Sequence, residues 1–152
     1  QKQVKHTIGE FVVMAVEVKH DVHCFSFLIQ HPESGLILFA TDTMYLPYKF
    51  PGLNNLILEC NYSQEILDSR LSEGETIDMV RNRVIGSHMS LETAKDFLRA
   101  NDLTGVNNIV LIHLSDGNSN AALFKTEIEN LTAKSVFVAD KGMNIDFGKE
   151  PF

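Results

Sequence analysis

The hydrophobic period of the chain changes near Ser63, and that change limits the possible architectures more than any other feature. Before it, apolar residues come in short runs: "FVVMAVEV" (Phe11 to Val18), "CFSFLI" (Cys24 to Ile29), "LILFA" (Leu36 to Ala40) and "NLILEC" (Asn55 to Cys60). The first three are rich in aliphatic, β-branched and aromatic residues and are separated by the polar stretches "KHDVH" and "QHPESG", which predicts an antiparallel meander. "YLPYKFPG", with its prolines and glycine, predicts a loop, and the fourth run reads as a buried strand. Beyond Ser63 the spacing becomes helical. Ser63 can cap a helix carrying Ile66, Leu67 and Leu71, and Ile77, Val80 and Val84 recur at helical intervals past Gly74. Ser90 is placed to cap a helix whose Leu91, Ala94, Phe97 and Leu98 share one face. "NNIVLIHLS" then reads as a buried strand, "SNAALFKTEIENL" as an amphipathic helix and "SVFVA" as a last strand. The expected fold is α/β (α+β), a mixed sheet with helices packed on one face, forming a single domain over residues 1–152.

Composition narrows the class. With 44% hydrophobic and 22% charged residues the chain reads as an ordinary soluble globule, and no apolar run approaches the ~18 residues of a membrane-spanning helix. A formal charge of −7 argues against gripping nucleic acid through a broad basic face, although a local site neutralised by metal remains compatible. Cys24 and Cys60 lack metal-binding spacing and read as reduced thiols, which fits a cytoplasmic setting. There is no signal-peptide pattern, and a chain beginning "QKQVKH" without methionine reads as a fragment, a processed product or a trimmed form.

Four polar residues stand at the ends of buried strands or at loop exits: His20, Asp42, His88 and His113. Each has an ordinary explanation alone, as a solvated turn histidine, a turn aspartate or a satisfied core histidine. His88 lies in "GSHM", which has the look of an expression-tag remnant, but the string is internal and runs into a well-formed helix. Together the four matter more. Imidazole and carboxylate are the ligands of a zinc or manganese site, and loops at strand ends are where a rigid sheet can hold several convergently.

In chain order, "VKHD", "ATDT", "ECN", "SHMS" leading into a helix and "IHLSDGNSN" leading into another resemble the metallo-β-lactamase superfamily. Its nuclease-like branch, related to ribonuclease Z and the WalJ exonuclease-like proteins, carries variants of these as H-D, T-D-T-G, E-x-N, G-H-x-S and H-L-S-x-x-N-N. The resemblance runs from about Phe11 to Leu131. It implies a phosphodiesterase acting on nucleic acid, with two zinc or manganese ions. His20 would be a ligand of the first metal, Asp42 the carboxylate bridging the two, and His113 a ligand of the second. His88 would stand near the leaving group as a general acid, and Asn118 and Asn120 would lie near the substrate phosphate.

The sequence also departs from the family pattern. The signature His-x-His-x-Asp-His is absent, Met44 replaces the usual glycine after "TDT", and "ECNYS" lacks the His-Asp pair that often follows. Three ligands shared between two cations leave each short of donors, so this chain alone is expected to bind metal weakly or not at all and to be inactive by itself. It reads as half, or a remnant, of an αββα sandwich of two similar halves. One sheet face rich in Val, Ile, Leu and Phe would then lie open to a second copy or to a missing amino-terminal half. Two alternatives stay open: a hydrolase of small esters, thioesters or lactams, and a non-enzymatic α/β binding or oligomerisation module. "EGETIDMVRNR" reads as a solvated helical face whose Arg81 and Arg83 could reach phosphate, and "DKGMNIDFGKEPF" as a closing hairpin or tail.

Overall fold

The apolar runs form one seven-stranded sheet whose strands lie side by side in chain order. The computed structural model describes residues 4–150, so residues 1–3 and the last two residues of the expected tail, Pro151 and Phe152, lie outside the described residues. The elements are β1 (Lys5–Ile8), β2 (Phe11–Val18), β3 (Cys24–His31), β4 (Gly35–Ala40), β5 (Leu53–Glu59), α1 (Gln64–Ser72), α2 (Asp78–Ser87), α3 (Leu91–Ala100), β6 (Asn108–Ile112), α4 (Ala121–Thr132) and β7 (Ser135–Val138). β1 to β4 pair antiparallel, while β4 to β7 pair parallel. The meander and the later strands therefore join into the mixed sheet that the pattern predicts.

Register decides which residues form the core. Leu28, Leu38, Leu56, Ile109 and Val136 stand in one row across five strands, all on the same face because side chains alternate along a strand. α3 and α4 cover this face, and Ala94, Phe97, Leu98, Phe124 and Ile128 pack into the same cluster. Ser90 caps α3 by accepting from the Thr93 amide, and Asn120 caps α4 by accepting from that of Leu123. Phe124 is fully buried. Phe124→Ala is expected to cost about 3–5 kcal/mol, read as a lowered midpoint in denaturant unfolding.

The opposite face carries Phe27, Phe39, Ile57, Ile112 and Phe137, each half-buried, and Phe25 is exposed. No helix of the described chain packs there, as expected for helices on one face only. The tail crosses part of it without forming a hairpin. Asn55 and Asn108 donate from this face to the carbonyls of Gly148 and Asp146, and Asn107 also donates to Gly148. β1 was not legible in the sequence. Its four residues are all exposed and lack apolar alternation, so it is held only by pairing with β2 across a tight turn at Gly9, whose φ of 60° suits glycine.

Candidate metal centre

Strand direction gathers the polar residues at one edge. β2, β4, β5 and β6 run the same way, since two antiparallel steps separate β2 from β4 and parallel steps follow. Their carboxyl ends therefore meet, and His20, Asp42, Glu59 and His113 lie at or just beyond those ends. His88 arrives from a different direction. It follows α2, and the segment after it is locked to the end of β5 by the Asn61 amide donating to Met89 and the Leu91 amide donating to Tyr62.

Backbone conformation holds two of these residues unusually. Asp42 and His113 both adopt left-handed backbone, with φ of 50° and 59°, a region that Asp, Asn and His tolerate better than most residues. Nearby hydrogen bonds fix both turns. The Met44 amide donates to the Lys19 carbonyl at 2.8 Å, tying the Asp42 loop to the His20 turn. The Asn61 side chain donates to the His113 carbonyl at 2.7 Å, and the Ser115 amide returns a bond to the Asn61 carbonyl. Buried Asn61 thus positions His113.

Glu59 is the hub of the site. Fully buried at the end of β5, it accepts from the Thr43 amide through Oε2 at 2.9 Å. Its Oε1 lies 2.7 Å from His88 Nδ1 and 3.2 Å from His113 Nδ1. Burial pushes its carboxyl up to about 7, against the pull of the Thr43 amide and His113. Burial also holds His88 below the usual imidazole range. His20 is fixed from outside this hub, with Nδ1 2.6 Å from Asp21 Oδ1.

The pocket of about 460 Å³ is lined by His20, Asp42, His88 and His113 together with Val80, Val84 and Arg83 of α2. It thus gathers all four residues that the sequence singled out. Asn118 and Asn120 do not line it: Asn118 accepts from Arg70 and donates to Ser115, and Asn120 caps α4. Arg81 is committed to Asp68, whereas exposed Arg83 stands 3.7 Å from Asp21 at the pocket rim. Glu59 and Asn61 received no role from the sequence. The available signal was a glutamate ending an apolar strand, within the E-x-N string.

The residues present fit a bound cation. One donor atom from each of His20, Asp42 and His88 lies within 4.8 Å of the others, and the same holds for Glu59, His88 and His113. Among the described residues, His20 Nε2 is buried with no hydrogen-bond partner, and a cation there would satisfy it.

Comparison with solved structures identifies the fold. YhfI of Bacillus subtilis, a metallo-β-lactamase fold protein, matches with a TM-score of 0.68 at 20% identity, over 94% of this chain and 52% of that one. A metallo hydrolase from the archaeon Ignicoccus hospitalis gives 0.61 at 13% identity, over 93% of this chain and 57% of its own. The short form of human tRNase Z gives 0.54 at 17% identity, over 93% and 45%. The chain therefore has a metallo-β-lactamase fold and spans about half the length of the solved structures it matches. No protein-family model matches the sequence, and no curated protein matches it. No helix among the described residues is long and apolar enough to cross a membrane.

Proposed function

We propose that this chain is the metal-binding portion of a metal-dependent hydrolase that cleaves phosphodiesters, with nucleic acid as its substrate class. The observation that carries the reading is the convergence of His20, His88, His113, Asp42 and buried Glu59 at one sheet edge. In the complete enzyme His20, Asp42 and His113 would hold zinc or manganese. Asp42 lies between its partners, its carboxylate 3.6 Å from His113 Nδ1 and its loop bonded to the His20 turn. When bound, the metal supplies Lewis acidity at the scissile phosphorus–oxygen bond.

The side chains then share the remaining work. Burial raises the Glu59 carboxyl and lowers the His88 imidazole, which stand 2.7 Å apart. His88, which lines the pocket, is the member able to relay a proton to the leaving oxygen. Arg83 can meet a phosphate oxygen at the rim, whereas Asn118 and Asn120, engaged with Arg70, Ser115 and the cap of α4, take no part. The likeness to tRNase Z supports phosphodiesters over esters, thioesters or lactams. Two free cysteines, one of them buried, suit a reducing, cytoplasmic setting.

The test compares this chain with the full natural polypeptide that carries it. Each receives zinc or manganese and is offered bis(4-nitrophenyl) phosphate, a short single-stranded oligonucleotide, a thioester and a β-lactam. Metal-dependent cleavage of the two phosphodiesters by the full polypeptide is expected, with this chain alone slow or inactive. Cleavage of only the thioester or lactam would replace the reading with another hydrolase. No cleavage of any substrate would leave a binding module.

A further inference from the structure

We propose that the cavity between the outer strands of the sheet and the segment joining β4 to β5 binds an aliphatic monocarboxylate, its chain laid on the strands and its carboxylate held by Lys5 and Gln30. This cavity uses the start of β2, the end of β3 and the start of β4. It therefore stands at the opposite end of β2 and β4 from the edge that gathers His20 and Asp42, and the inference does not depend on the hydrolase reading.

Register builds the floor. Lys5, Met14, Leu28 and Leu38 stand in one row across β1 to β4, and Val12, Gln30 and Leu36 form the row beside it. Residues two apart on a strand share a face, so both rows lie on the face that carries the core. The core thins out towards β1: Leu28 is buried, Val12, Met14 and Leu36 are half-buried, and Lys5 and Gln30 are exposed. A cavity of about 420 Å³ stands over these residues, within the range of small-molecule sites, about 300–1,000 Å³. Phe50 and Pro51 close its side. That wall is fixed to the helical layer, because the buried Phe50 donates its amide to Asn101 Oδ1 at 2.8 Å and sets its ring 6.2 Å from that of Phe97 in α3. A ligand would meet a preformed surface and spend little on ordering it.

The lining selects the ligand's chemistry. Aliphatic side chains around a sheltered volume favour an apolar body, and the unbranched Met14 lets the floor adapt to a flexible chain. Only Lys5 and Gln30 bring polar groups, an ammonium and an amide. The chain carries 20 acidic residues against 13 basic ones, yet among the described residues no acid lines this cavity. An ammonium with no carboxylate beside it in an otherwise acidic chain selects an anion. One lysine and one amide match a single negative charge, whereas a phosphate dianion calls for several cations or a guanidinium fork. The long lysine stem can lie along the apolar row while its head stays at the mouth, which places the carboxylate at the rim and the aliphatic chain inside.

The test is calorimetric titration of this chain, and of the full polypeptide that carries it, with sodium decanoate and with decyltrimethylammonium below their micellar concentrations. Backbone amide NMR shifts locate the ligand. One decanoate per chain is expected, bound more tightly than the cation, with shifts centred on residues 5, 12–14, 28–36 and 50–51. Lys5→Gln should weaken decanoate about tenfold, the loss of one charge-assisted contact. Lys5→Glu should weaken it further and make decyltrimethylammonium the better ligand, a reversal that general apolar adhesion would not show. Val12→Phe fills the cavity with a residue that still favours a strand and should remove binding of both. Circular dichroism and unfolding midpoints check each variant, and the exposed Lys5 pair decides even if Val12→Phe fails to fold. No saturable binding, equal binding of the two probes with no response to Lys5→Glu, or shifts centred elsewhere would each overturn the site. Binding by this chain that is lost in the full polypeptide would also overturn it, because the cavity would then be filled by the protein's own chain. Asp42→Asn should leave decanoate binding unchanged, so loss of the hydrolase reading and loss of this site are read separately.

Discussion

Asp42→Asn in the full polypeptide is expected to lower metal-dependent phosphodiester hydrolysis by about three orders of magnitude, corresponding to roughly 4 kcal/mol of lost charge stabilisation. The substitution isolates the charge. Asp42 sits at φ 50°, and asparagine accepts that conformation nearly as well as aspartate. Its side chain is partly exposed, at 43%, so the unfolding midpoint should move by no more than about 0.5 kcal/mol equivalent. His113→Asn is the matching control, because His113 also has left-handed backbone and alanine there would add strain unrelated to metal. The measurement is kcat at saturating metal together with denaturant unfolding. Full activity in both variants would dismiss the role of the cluster in catalysis.

A second large effect concerns pH. In metal-free buffer, the contribution of Glu59 to stability should fall as pH rises from about 4.5 to about 7. Folding raises the Glu59 carboxyl from 4.5 to about 7, so the fold favours the protonated acid. That contribution is fully present below the unfolded pKa and is lost as pH rises through the folded value. Its full size is on the order of 3 kcal/mol, at about 1.4 kcal/mol per unit. His88 acts in the opposite sense: burial lowers it, the fold favours neutral imidazole, and stability is lost as pH falls through and below about 6.5. The two overlap below about pH 6.5, and Glu59→Gln isolates the carboxyl, because it removes the loss of stability between about pH 4.5 and 7 and leaves only the histidine contribution. Denaturant midpoints from pH 4 to 8 would show this, and an unchanged pH dependence in Glu59→Gln would sink the assignment to Glu59.

Much of the fold was legible because burial writes local patterns. β2 to β5 announce themselves as apolar runs, and α3 displays Leu91, Ala94, Phe97 and Leu98 on one face because its packing partner is the core. α2 was legible only in its spacing. Its Met79 and Val80 are largely exposed, and Val80 and Val84 line the pocket rather than the core. β1 left no pattern, since its four residues are exposed and its energy is mainly backbone pairing.

The candidate site divides along the same lines. His20, Asp42, His88 and His113 could be named because a polar residue where an apolar strand or helix ends is visible locally. Glu59 was passed over because its meaning lies in its surroundings: it is only an acid ending an apolar strand until β4 and β6 enclose it and two imidazoles are brought against it. The amino-acid order by itself determined β2 to β7, the helices, the single covered face and the candidate ligands His20, Asp42, His88 and His113, all of which follow from short-range periodicity and end effects. Only the tertiary structure decided which ligands meet. That depends on parallel strands placing residues 20, 42, 59 and 113 at one edge and on the pairing of residues 61–62 with 89–91 that returns His88 to them, contacts whose energies come from the assembled sheet and not from any local stretch of chain.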